Sequence, residues 1–475
     1  MNLFRKQNTN DILNENKAHK ERTLGVFDLT LMSIGAVIGT GVMVLTGVVA
    51  STEAGPGVSL SFIISGIACI FVVLCYAEFS STLPSSGGSY TYVYASMGEF
   101  LAYIVGLCIV LGYTLSVATV GAGWSAYFTN ILSVLGINLP TYLTNIPADG
   151  GIVNLPGILV ILFIMFILSI GTKESKKFNN LMVLIKLGVI FLFIIVGIFY
   201  INTANWHTFL PFGFTGVFAG ASSVFFAYTG FDTTASAAEE TKNPQRTIPI
   251  ALILSLVIST IIYIIVALVL TGMTSYTKLD AGDALAYALN SVGRTKIAAI
   301  LSVGAVIGTM AVIFGQTYGS SRVLLSIGRD GLVPSKFAKT NSKNIPLVSI
   351  WSIGIVAAIL AGFINLGSLA NFSNMALLVA YFIVSISVIV FRKVKPNLKR
   401  GFRTPFVPLI PILAALSCGF LIFNLPYEIW IYFVVFIIFA TIIYFIYSYK
   451  HSKLNTFTTY KGGKFSGNTD KFHKS

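Results

Sequence analysis

Charge is scarce in this sequence. Asp, Glu, Lys and Arg make up 10% of its 475 residues, where a soluble domain carries about 25%. Hydrophobic residues fill the gap at 55%, with a mean hydropathy of +0.83. Cysteine is scarce too: Cys69, Cys75, Cys108 and Cys418 all fall inside apolar runs, so no disulfide framework is expected. The four histidines lack metal-ligand spacing, and no metal or cofactor is expected. The glycines of 35–41 are not followed by Lys-Ser or Lys-Thr, which excludes a phosphate loop and hence ATP as the energy source. The first 24 residues are polar and have no apolar h-region, so the first apolar span is expected to act as the targeting signal. No loop exceeds about 25 residues, so a soluble catalytic domain, and enzyme activity with it, is not expected.

What the chain does contain is long apolar runs. Residues 154–172, 249–270, 347–366 and 429–448 each approach the roughly 20 apolar residues needed to cross a hydrocarbon core. Within lipid such runs must be helices, because every backbone polar group has to be satisfied internally. The expectation is an all-α polytopic membrane protein. Its twelve spans are read at 26–51, 58–83, 99–128, 154–172, 178–201, 215–238, 248–272, 297–321, 347–366, 368–391, 407–425 and 429–449. The ninth and tenth are separated only by a turn at Leu366–Ser368.

Lys and Arg set the expected orientation. The N-tail (1–25), the loops after spans 4, 6, 8 and 10, and the C-tail (450–475) together hold 27 of them. The opposite loops hold only Lys278, Arg294 and Lys296. Positive residues stay cytoplasmic, so both termini are expected inside. The net charge of +14 is thus a topology signal, and nothing points to nucleic acid. The basic C-tail is expected to lie near anionic lipid headgroups.

Two spans carry internal breaks. Span 1 contains Gly35-Ala36-Val37-Ile38-Gly39-Thr40-Gly41, and each glycine costs a helix about 1 kcal/mol relative to Ala. One reading is close packing against another helix. The other is a discontinuous helix whose freed amides at Gly39, Thr40 and Gly41 seat a carboxylate. Span 6 contains Phe225-Phe226-Ala227-Tyr228-Thr229-Gly230-Phe231-Asp232. Asp232 there either caps a second half-helix or faces a cavity as an intramembrane acid. Carbonyls near Phe226, Ala227 and Thr229 would suit an ammonium group. A carboxylate seat and an ammonium seat together describe an α-amino acid. Lys186, in span 5, is either a snorkelling side chain or a buried amine that gains and loses a proton. Glu78 reads as a structural salt bridge or cap, and Tyr113, Trp124 and Tyr127 read as packing anchors.

The stretches IGAVIGTGVMVLTG (34–47), YAEFSSTLPSSGGSYTYVY (76–94), FFAYTGFDTTASAAEETKNPQRTIP (225–249), SRVLLSIGRDGLVP (321–334) and FRTPFVPLIPIL (402–413) resemble one family. It is the amino acid–polyamine–organocation superfamily, near its cationic amino acid transporter branch and similar to bacterial branched-chain permeases. The resemblance covers roughly residues 25–445. It implies a five-plus-five inverted repeat, about 26–201 and 215–391, with broken helices 1 and 6 and two extra helices at 407–449. It also implies alternating-access transport. The substrate-binding positions it implies are Val37, Gly39, Thr40, Gly41, Phe226, Ala227 and Thr229, with Phe226 as a gate. Gly35, Gly230 and Asp232 would support the breaks, and Lys186 would stand in a proton-coupling position. Where the cationic branch has Leu-Glu-Tyr in span 3, this chain has Leu111-Gly112-Tyr113. With Gly112 and Phe231 as side-chain pocket, a neutral, branched-chain or similar aliphatic amino acid is expected, carried with protons across the cytoplasmic membrane. A cationic amino acid transporter, a channel and an amino acid sensor remain the alternatives.

Overall fold

A computed structural model describes residues 5–7, 9, 22, 24–170, 172–280 and 282–454, with 172–178 and 239 described in backbone only. Most of the N-tail and the C-tail from 455 onward lie outside the described residues. Helices α1 (Val26–Val37), α2 (Val58–Thr82), α3 (Glu99–Val134), α4 (Leu155–Ile170), α5 (Thr172–Ile198) and α6 (Gly213–Val224) succeed one another. They are followed by α7 (Pro244–Met273), α8 (Thr295–Arg329), α9 (Leu347–Phe363), α10 (Leu366–Val394), α11 (Leu409–Phe423) and α12 (Tyr427–Ile443). Among the described residues eight helical stretches are long and apolar enough to cross a membrane by length and composition. The helices α1, α4, α9 and α11 are apolar but shorter.

The side chains are distributed as a lipid solvent demands. Phe163, Phe166, Leu181, Phe191, Ile195, Ile359, Val435 and Phe439 stand exposed on helix surfaces, while small polar residues such as Ser33, Ser65, Ser255 and Ser302 are buried. Hydrocarbon offers apolar faces no reason to leave it, so helices associate through small residues and hydrogen bonds. The Ser33 and Ser255 hydroxyls pair at 2.7 Å between α1 and α7. Ser61 and Ser65 of α2 donate to the carbonyls of Val217 and Ala221 on α6. At the centre, α8 packs on α3 and α5, α7 on α2, and α10 on α3 and α11. The SVGAVIGT stretch of α8 owes its glycines to this packing: Gly304 is seated on Val189 and Gly308 on Lys186, both from α5.

Several boundaries differ from the sequence expectation: α8 runs on to Arg329, past 321, and α5 begins at Thr172, before 178. The turn between α9 and α10 lies at Ile364–Asn365, because the Asn365 side chain accepts the Gly367 and Ser368 amides and caps α10 there. Helix α3 continues to Val134, past the expected end at 128. Glu78 is structural. Arg392 binds it through two nitrogens at 2.9 and 2.6 Å, Arg400 at 3.1 Å and the Thr404 amide at 2.8 Å. These bonds tie the 395–408 loop to α2.

Candidate functional site

The sequence 35–41 folds as an interrupted helix. Helix α1 ends at Val37, Ile38 is extended (φ −75°, ψ 113°), and a π-helical turn begins at Gly41. The ladder resumes with the Met43 amide donating to the Gly39 carbonyl at 3.2 Å. The amides of residues 39–42 therefore head the second half as leading N–H groups, at the positive end of its dipole. The last carbonyls of α1 are free on the other side of the break, and α5 supplies their partner. Lys186 is fully buried, and its Nζ donates to the carbonyls of Gly35 (2.9 Å), Ile38 (2.5 Å) and Ile34 (3.5 Å). A cation at the C-terminal end of a helix is favoured by the dipole and by the orphan carbonyls alike. The amine is turned inward, so it does not snorkel. Gln316 of α8 adds a donor to the Ala36 carbonyl at 3.3 Å, and its own Oε1 has no partner among the described residues.

Helix α6 breaks at the same depth. A tight turn at Phe225–Tyr228 is followed by Thr229 in an extended conformation and Gly230 at φ +112°, which only glycine adopts without strain. The two breaks meet. A Cβ on Gly41 would lie 2.4 Å from the Ala227 Cα, and a Cβ on Gly230 would lie 2.6 Å from the Ala36 carbonyl oxygen. Gly35 and Gly39 take close contacts from α5 and from Val312 of α8. The glycines therefore serve both readings at once, close packing and a broken helix. The Phe226 carbonyl accepts the Thr229 hydroxyl at 2.8 Å and the Ala227 carbonyl accepts the Tyr263 hydroxyl at 2.6 Å. The Phe226 carbonyl also accepts the Thr229 amide at 3.2 Å, so of the two only the Ala227 carbonyl keeps a second lone pair. Phe226 is 3% exposed, in an apolar cluster with Leu45, Trp124 and Val312. Val37 is buried, and the Thr40 methyl faces Gly123 of α3, leaving its hydroxyl buried without a partner among the described residues.

Asp232, Gly112 and Phe231 all have neighbours on α10. Asp232 makes no side-chain cap to the short helix that follows it. Its carboxylate instead accepts the hydroxyls of Tyr113 from α3 and, at 2.7 Å, of Tyr381 from α10. Two phenols that converge from neighbouring helices outcompete the local amides. Gly112 lies against Leu377 of α10, with its carbonyl taken by Ser373. Phe231 is fully buried between Tyr76 and Tyr381. Both therefore pack against α10, not at the contact of the two breaks. Tyr113 is more than a packing anchor, and Gln316 and Tyr381 went unnoticed. An aromatic or amide at mid-span carries no local signal of the groove it faces.

An amino acid permease family model matches residues 24–460. The chain belongs to the amino acid permease family. This permease is 47% identical over 457 residues to a methylthioribose transporter of Bacillus subtilis (strain 168), spanning 95% of the chain and 99% of the relative. It is 44% identical to the branched-chain amino acid permease BcaP of the same organism, spanning 95% and 99%. It is 34% identical to the chloroplastic cationic amino acid transporter 9 of Arabidopsis thaliana, spanning 91% and 88%. The permease is a membrane-embedded transporter, not an enzyme.

Proposed function

We propose that this permease imports neutral, aliphatic amino acids of branched-chain size together with protons. The observation that carries the substrate class is the occupation of the acid at the break in α6. A cationic side chain left unpaired in a low-dielectric site is severely unfavourable, and α3 has no Asp or Glu between Phe100 and Pro140. Asp232 is already held by two tyrosine hydroxyls. The substrate carboxylate sits on the leading amides at Gly39, Thr40 and Gly41, beside Val37. The ammonium sits on the remaining lone pair of the Ala227 carbonyl, beside Phe226 and Thr229, and Phe226 closes over both. Lys186 couples the proton: protonated, it holds the α1 carbonyls with full charge, and neutral, it releases them and loosens the break. The two interrupted helices are the first of each five-helix half, 26–201 and 215–391, with α11 and α12 outside the repeat, and the halves rock about the midplane site.

A second reading is favoured by one observation. The hydroxyls of Thr40, beside the break in α1, and of Thr234, just after that in α6, are buried without partners among the described residues, and would suit the hydroxyl groups of a small neutral sugar such as methylthioribose, the cargo named for the 47% relative. Uptake into proteoliposomes separates the readings. Excess isoleucine or valine is expected to suppress uptake of radiolabelled isoleucine, with arginine and methylthioribose without effect. Inhibition by arginine and lysine alone, or uptake of methylthioribose but no amino acid, would overturn the proposal. Absence of any uptake would leave a sensor.

The Lys and Arg asymmetry supports a cytoplasmic-membrane location with both termini inside. A single cysteine at Ser342 is expected to react with an impermeant thiol reagent only from the cytoplasmic face, and one at Asp280 only from outside. The reverse pattern at either position rules the orientation out.

A further inference from the structure

Above the paired breaks, on the side where the second half of the first span ends, lies a cluster with more acceptors than donors. Glu53 is half-buried there. Its Oε1 accepts the Ser223 hydroxyl at 3.0 Å, and its Oε2 is buried with no partner among the described residues. Asn374 of α10 is fully buried, and its Nδ2 donates to the carbonyls of Ser222 (2.9 Å) and Ser223 (3.3 Å). The amide geometry then leaves Asn374 Oδ1 beside the same turn of α6, and it too has no partner among the described residues. These groups crowd the C-terminal, negative end of α6, which ends at Val224. Lys278 lies on the neighbouring 276–278 turn, but it is exposed and makes no ion pair with Glu53. A carboxylate and an amide oxygen thus stand at the Ser222–Ser223 turn, at the helix's negative end, with no cation among the described residues to balance them. An ionisable group at membrane depth is costly unless it has a partner.

We propose that Glu53, Ser223 and Asn374 form an outer subsite that takes the substrate's ammonium group before it reaches the break in α6. An ammonium is the matching ligand, because it brings charge and three N–H donors to acceptors that lack both. The route onward is short. Ser223 stands on the last turn of α6, and Ala227 follows four residues on in the 225–228 turn where the helix breaks. The subsite rests on the amino acid reading above, and it adds an entry step on the outer side.

The test is a competition series in proteoliposomes with isoleucine, the amine 2-methylbutylamine and the des-amino acid 3-methylpentanoate. Glu53→Gln keeps size and removes charge. It is expected to raise the isoleucine KM and the amine's inhibition constant about tenfold, the size of one charge-assisted hydrogen bond, and to leave the des-amino acid's constant unchanged. A merely structural role would move all three constants together, and that result, or no change in any, overturns the subsite. Ser223→Ala removes only one hydroxyl, so it tests the site even if Glu53→Gln folds poorly. About a threefold shift confined to the two amino compounds supports the subsite, and an equal shift in all three sinks it. If the unmodified protein carries no amino acid, the functional reading fails and the subsite falls with it. Normal isoleucine uptake with an indifferent Glu53→Gln removes the subsite alone.

Discussion

Lys186→Met is expected to abolish concentrative uptake while leaving exchange of substrate across the membrane. One elementary charge moving through 100 mV carries about 2.3 kcal/mol, enough to hold a roughly 50-fold gradient of a neutral substrate. Without a group that carries the proton, that ratio is expected to fall to about 1. Met matches the length of the Lys stem but offers no donor to the carbonyls of Gly35 and Ile38, which Lys186 holds at 2.9 and 2.5 Å. Each carbonyl left bare in the interior costs about 1–3 kcal/mol, so some loss of thermal stability is expected as well. The measurement is the internal-to-external ratio of isoleucine under an imposed proton gradient, beside counterflow with no gradient. Accumulation that survives the substitution, or sodium-dependent uptake by the unmodified protein, removes Lys186 from the coupling step. Loss of counterflow too would mean that Lys186 only holds the break together.

The second large effect is expected from Gly41→Val. The added Cβ would sit 2.4 Å from the Cα and 2.6 Å from the Cβ of Ala227. Overpacking against yielding side chains already costs about 1–3 kcal/mol, and here the obstacle is the backbone of the second broken helix. If about 2.7 kcal/mol falls on the docked arrangement of the breaks, its population drops about a hundredfold. Uptake is expected to fall by at least that factor, while the protein still inserts and elutes as a single species in detergent. The neighbouring helices bury the rest of the molecule independently of this contact. Unchanged uptake would show that the α1–α6 contact is dispensable for transport.

Much of the fold was legible in the chain. Apolar runs of membrane length, polar turns between them and glycines clustered inside two runs are local features, and they mark an all-helical chain with membrane-length helices. The breaks could be read as well, because three glycines in seven residues and Gly230 beside Asp232 weaken a helix wherever it packs. The turn between α9 and α10 was misplaced because its signal is a single cap, the Asn365 side chain reaching two amides.

What composition and spacing could not decide was which groups the breaks would find as partners. Lys186 lies 148 residues from Ile38 in the chain, and Tyr381 lies 149 residues from Asp232, yet each pair is hydrogen-bonded. Nothing local to Asp232 distinguishes an acid that caps its own helix from one that accepts hydroxyls from α3 and α10. The same holds for Gly112, whose missing side chain reads as an open pocket in the sequence while Leu377 of α10 fills the space against it. The sequence by itself determined the solvent of this protein, its helices and the positions where they weaken, because hydropathy and helix propensity act over a few residues at a time. Tertiary structure alone decided how the weakened positions are satisfied. Buried polar groups in lipid must find partners within the protein, and here those partners come from helices far apart in the chain.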